Sequence, residues 1–219
     1  MTDRRLLDEQ IAYYRARAAE YDATSQPPGD PLAEHAAVIR AELAALALQG
    51  RVIELAAGTG HWTGLLATTA DELVVTDASP EMLALNRKKV GERPHVRYEV
   101  RDAFSLEAED PYDVAFLGFF LSHVPRSRFA AFWGLLEGVL RPDGRAVFVD
   151  EGRHDLWRED WEDEAAGVVR RRLDDGTAHR AVKILWEPDA LATALRELGW
   201  DASVRTEGPF YWGTGSPPR

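Results

Sequence analysis

From residue 51 to residue 150 the sequence alternates short apolar runs with amphipathic stretches, which confines the chain to a narrow set of folds. A strand buried on both faces reads as a near-continuous apolar run, and successive parallel strands need a helical crossover between them. The runs predict strands at about 51–56, 72–77, 95–101, 112–118 and 144–150, with helices at about 61–69, 80–91 and 126–140. "RPDG", Arg141 to Gly144, turns the chain into the fifth strand. A helix at about 187–198 and a strand pair at about 201–206 and 208–213 follow. The reading is α/β: a doubly wound, Rossmann-like, mostly parallel seven-stranded sheet with an antiparallel last strand.

Two helices precede the sheet. Over 6–22 the residues Leu7, Ile11, Tyr14, Ala18 and Tyr21 recur at helical spacing until "TSQPPGDP" breaks the pattern, and a second helix over 31–49 closes at Gly50. Beyond the fifth strand, the acidic, Trp-bearing 152–166 stays without an assignment. "VVRRRLDDGTAHRAVKILW" then reads as an inserted β-hairpin about Asp174, Asp175 and Gly176.

A chain of 219 residues suits one sizeable core, and we expect a single domain over 1–219. With 26 Lys+Arg against 37 Asp+Glu the net charge is -11, so nucleic acid and anionic membrane surfaces are not expected partners. No spanning run and no signal-peptide core is evident, which predicts a cytoplasmic protein. The absence of Cys removes disulfides, thiolate metal sites and cysteine nucleophiles.

The first strand runs into a glycine turn in "VIELAAGTGHW". Such a turn lets backbone approach a ligand with unpaired helix N–H groups aimed at it. A dinucleotide fingerprint fails, because Thr63 stands at its third glycine position. An acid on the strand, a small residue and Gly-x-Gly suit S-adenosylmethionine instead, with Glu54, Ala56, Gly58 and Gly60 in those places. Asp77 ends the second strand where an acid accepts from ribose hydroxyls. Asp102 and Ala103 end the third, placed for the adenine amino group, with Phe104 beside the ring. Three acids at successive strand ends converge on one crevice.

Followed by "DVAFLGFFLSHVP" and "LRPDGRAVFVDE", this order resembles the class I S-adenosylmethionine-dependent methyltransferases over roughly residues 10–214. The resemblance implies S-adenosylmethionine as cofactor, S-adenosylhomocysteine as product, and contacts from Trp62, Ala78, Met82 and Gly118 as well. "IAYYRARAAEYD" resembles the N-terminal lid of small-molecule members, which implies that residues 1–30 close over the cofactor, with Tyr14, Arg17 and Tyr21 facing it. A lid argues for a small acceptor. A metal-assisted catechol-type site needs an Asn among carboxylates, and Asn86, the only Asn, lies in the helix after the second strand; no metal is implied.

Within the family, "YYRARAAEYDAT", "ELAAGTGHWT", "HVPRSRFAAFW" and "VVRRRLDDGTAHRAVK", with "LGW" at Leu198 to Trp200, resemble the phosphonate O-methyltransferases of dehydrophos biosynthesis and their relatives. That likeness implies that His123, Arg171 and Lys183 hold an anionic acceptor and that 152–186 is an acceptor-side insertion. In "SQPPGD", Pro28 or its neighbour stands where the relative has a Tyr, so a carboxylate, or a phosphate on a larger molecule, is an alternative to phosphonate.

Hairpin register bears on this site. A three-residue Asp174-Asp175-Gly176 loop puts Arg171, His179 and Lys183 on one face; a two-residue turn puts Arg171 and Lys183 on opposite faces. The first is preferred. The expected function is a small-molecule O-methyltransferase of specialised metabolism, monomeric or homodimeric. N- or hydroxyl O-methylation with His123 as base, and cofactor binding without turnover, are the alternatives.

Overall fold

The computed structural model describes residues 3–25, 29–154 and 159–219, so Pro28 lies outside the described residues. Seven strands form the main sheet: β1 (Arg51–Leu55), β2 (Glu72–Asp77), β3 (Val96–Val100), β4 (Tyr112–Gly118), β5 (Leu140–Glu151), β9 (Asp201–Glu207) and β10 (Phe210–Ser216). Their order is β3-β2-β1-β4-β5-β10-β9, with β10 antiparallel to both neighbours and the first five strands parallel. Alternation along β1 explains the two layers. Ile53 and Leu55 face a core built with α6 (Phe129–Val139) and α7 (Pro188–Glu197); Val52 faces one built with α3 (Ala33–Ala45), α4 (Thr63–Leu66) and α5 (Pro80–Val90).

Two expectations shift in detail. β5 begins at Leu140 rather than 144, because Tyr112 already pairs with Leu140 and the "RPDG" residues bulge out before Val114 meets Arg145. Residues 152–166 contribute a strand: β6 (Trp161–Asp163) joins β7 (Val168–Arg172) and β8 (Ala178–Val182) in a second sheet of order β6-β7-β8. The hairpin loop is the three-residue one. Arg171 pairs with His179, Leu173 N donates to Thr177 O at 3.0 Å, and Gly176 takes the left-handed φ of +86° that this loop requires.

The N-terminal stretch forms α1 (Asp3–Arg17) and α2 (Tyr21–Ser25), joined by a 3-10 turn at Ala18–Glu20. Helix α1 buries Leu6 and Leu7 in the core while Arg15 pairs with Glu81 on α5 at 3.0 Å. Asp22 of α2 meets Lys89 at 2.9 Å and Thr59 of the glycine turn. Among the described residues no helix is long and apolar enough to cross a membrane.

Candidate active site

Between α1 and the carboxyl ends of β1, β2 and β4 lies a cavity open to solvent at its mouth. Ala56 and Gly58 of the glycine turn line it, whereas Gly60, expected as a cofactor contact, lies off the wall. Ala56, Gly58 and Gly60 all take left-handed φ, +49°, +55° and +91°. Ala56 therefore carries its methyl in a left-handed conformation that glycine adopts far more readily. At Gly60 a Cβ would meet Asn86 Oδ1 at 2.7 Å, so the turn sits directly on α5.

Asp77 is 9% exposed on the cavity wall, its oxygens accepting from Gly58 N at 2.9 Å and Ser79 N at 2.8 Å. A carboxylate has room for about four such bonds, so acceptor capacity remains on the cavity side. Burial raises its pKa, opposed by the backbone donors. Across the cavity stands Tyr21, whose hydroxyl burial also pushes upward. Ala78, Met82, Asp102, Ala103, Phe104 and Gly118 line the same wall. Asp102 Oδ1 accepts from Phe104 N at 2.9 Å, which sets the turn beneath the ring.

Several expected contacts are placed elsewhere. Glu54 lies on the other face of β1, behind the turn and off the cavity wall, 2% exposed. Its neighbour is Thr63, which joins Asn86 Nδ2 at 2.8 Å; Asn86 also donates to Gly58 O at 3.3 Å. Trp62 turns away too, packing on Phe116 and Phe119 and passing so close over Gly118 that a side chain there would collide with it. Arg17 holds its guanidinium within the N-terminal segment, on Thr24 Oγ1 at 2.8 Å and over the Tyr21 ring at 4.7 Å. The wall gains residues that sequence reasoning missed as ligand contacts: Leu7 and Ile11 of the lid stripe, Gln10 beside them, and Phe119 and Phe120 after β4. For Leu7 and Ile11 the signal was present, since they share the helical spacing of Tyr14.

Burial raises Glu54 to about 8, opposed by the Thr63 hydrogen bond and reinforced by Asp77. The fold then holds this proton more tightly than the unfolded chain does. Its stabilisation is complete below about 4.3, the ordinary glutamate value, and is lost as pH rises through about 8. Glu54→Gln is expected to flatten the decline in stability across that window, followed by urea unfolding at a series of pH values. An unchanged slope would place the titration on another group.

His123 stands on the cavity wall at the close of the 3-10 turn after β4. Its Nδ1–H donates to Val182 O at 2.7 Å, which leaves Nε2 to accept from Tyr14 OH at 2.9 Å. Burial, and then the charges of Lys183, Arg171 and Arg17, depress the imidazole to about 3. Arg171 and Lys183 share a face of the hairpin but neither lies on the cavity wall. Arg171 grips Glu159 with both terminal nitrogens; Lys183, 4% exposed, pairs with Glu151 and donates to Ser122 Oγ at 3.3 Å. Two further hairpin cations are held by acids as well, Arg180 by Glu9 at 2.6 Å and Arg170 by Glu162 at 3.5 Å.

A family model described as a methyltransferase domain matches residues 52–144, the glycine turn and the four strands around it. Two solved structures, the DhpI–SAH complex and the DhpI–SAM–HEP complex, superpose with TM-scores of 0.83 and 0.82. Each is 36% identical and covers 97% of this chain, against 97% and 98% of its own. The chain belongs to the class I S-adenosylmethionine-dependent methyltransferases. Its cofactor is S-adenosylmethionine, with S-adenosylhomocysteine as product. The chain is also similar to the non-reducing polyketide synthase mapC of Penicillium roqueforti, 29% identical over 73% of this chain. Trans-aconitate 2-methyltransferase of Methylobacterium nodulans is 36% identical over 49%. The chain spans 7% and 40% of the lengths of these two curated relatives.

Proposed function

We propose that the chain methylates an oxygen of a small anionic acceptor, a phosphonate first, with phosphate or carboxylate as alternatives. The observation that carries this reading is the gathering of Lys183 and Arg171 beside His123 in a protein of net charge -11, Lys183 reaching Ser122 next to it, while burial first and these charges second keep the imidazole neutral. The relative solved with SAM and HEP, 36% identical, supports an acceptor of that ligand's kind. A place in specialised metabolism belongs to the same proposal, in keeping with the likeness to a segment of a polyketide synthase.

The cofactor, when bound, supplies an electrophilic methyl group on sulfur. Asp77 would hold its ribose and Asp102 with Phe104 its adenine. An ionised acceptor oxygen needs no base, so orientation and exclusion of water carry the acceleration. Arg171 offers a planar fork to two oxygens and Lys183 a point charge. Because Glu159 and Glu151 already occupy these cations, the acceptor must share them, which keeps its affinity moderate.

Isothermal titration with S-adenosylhomocysteine, followed by phosphonate, phosphate and carboxylate compounds, tests the reading. Anion binding to the saturated protein is expected; its absence across all three classes would overturn the acceptor class. A hydroxyl acceptor would need His123 as base, which its lowered pKa and its bond from Tyr14 oppose. Accordingly, with a carboxylate acceptor, which does not titrate there, kcat/KM should be flat between about pH 6 and 8, the range in which an ordinary histidine titrates, and with a phosphonate any limb should follow the acceptor's own ionisation and persist in His123→Ala. A limb near neutrality that disappears in His123→Ala would reinstate the base.

A further inference from the structure

β8 is an edge strand, and the outward N–H groups of an edge need partners. No neighbouring strand supplies them here: the lid helix does. Arg180 N donates to Glu9 Oε1 at 3.1 Å and Val182 N to Gln10 Oε1 at 2.9 Å, while Ile184 N reaches Ser122 O at 2.7 Å. Gln10 is 5% exposed, and both ends of its amide are used. With Oε1 committed to an N–H donor, Nε2 faces His123 O, 3.4 Å away. His123 closes the ring through its bond to Val182 O, and Tyr14, one helical turn beyond Gln10, holds the other ring nitrogen.

We propose that Gln10 is a positioning residue that locks the acceptor-side hairpin and the His123 turn to the lid helix, so that seating the lid over the cofactor also seats β8. The inference rests on the lid and acceptor-site reading above and adds the element that joins its two halves. A hydrophobic side chain of similar length fills the same space but leaves Val182 N–H and His123 C=O without partners, so packing and coupling are separable.

Amide hydrogen exchange over 178–184, with and without S-adenosylhomocysteine, reads the coupling without any acceptor. In the unaltered protein the product is expected to slow exchange across β8. In Gln10→Leu, measured at S-adenosylhomocysteine concentrations that saturate the variant, exchange at Val182 is expected to rise at least about 10-fold and the response to the ligand to vanish. Equal slowing of β8 in Gln10→Leu and the unaltered protein would overturn the proposal. Should Gln10→Leu not fold, Gln10→Glu decides. It keeps the acceptor for Val182 and loses the donor to His123, so the response over 178–184 should persist and that over 121–124 disappear; a normal response in both segments would overturn the lock. Titration of methylphosphonate and acetate into the same samples separates the two readings, since intact β8 coupling without anion binding would remove the acceptor class alone.

Discussion

Asp77→Ala is expected to weaken S-adenosylhomocysteine binding by roughly 100-fold or more, with acceptor recognition at saturating cofactor little changed. Hydrogen bonds to an ionised group contribute about 1.5–3 kcal/mol each, and the proposed ribose contact uses two. Asp77 also holds Gly58 N and Ser79 N, so the substitution loosens the glycine turn and the start of α5 at once. The loss of affinity should therefore come with a lower unfolding midpoint, and Asp77→Asn should recover part of the stability but little of the binding, because its NH2 opposes one of the two backbone donors. Titration calorimetry beside urea unfolding separates the effects. Unchanged cofactor affinity in Asp77→Ala would remove Asp77 from the binding site.

Arg171→Ala should raise the acceptor KM by about 100-fold, consistent with roughly 2–5 kcal/mol for truncating one partner of a buried charge pair. Cofactor affinity should stay near its original value. Part of the effect would come from Glu159, which the Arg171 guanidinium holds below its ordinary value against a burial that acts to raise it. Without Arg171 that carboxylate is stranded beside the acceptor end, either repelling an anion or taking up a proton. The double variant Arg171→Ala with Glu159→Gln removes this repulsion and should recover a fraction of the KM loss but not the bidentate grip. Arg171→Lys should behave more like Ala than like the original, because an ammonium cannot reproduce the planar fork. Steady-state kinetics at saturating cofactor reads all three. An unchanged KM in Arg171→Ala would remove the anion site from the hairpin.

The sequence by itself determined the layered α/β order, the glycine turn, and Asp77 and Asp102 at successive strand ends. Each is set by local spacing: a period of two or of 3.6, a turn that needs a left-handed residue, an acid at the last position of a strand. It left the hairpin between a three-residue and a two-residue turn. Tertiary structure alone decided which face Glu54 takes, because a side chain on a doubly covered strand meets a core on either side and periodicity does not tell them apart; it also turned Trp62, at the start of α4, onto Phe116. It alone paired Arg171 with Glu159 and Lys183 with Glu151, and it alone set Gln10 against an edge strand 172 positions away. A charge or an amide carries no mark in the sequence of the distant group that will satisfy it; only the packing of α1 and the hairpin on the sheet brings those groups within hydrogen-bond reach.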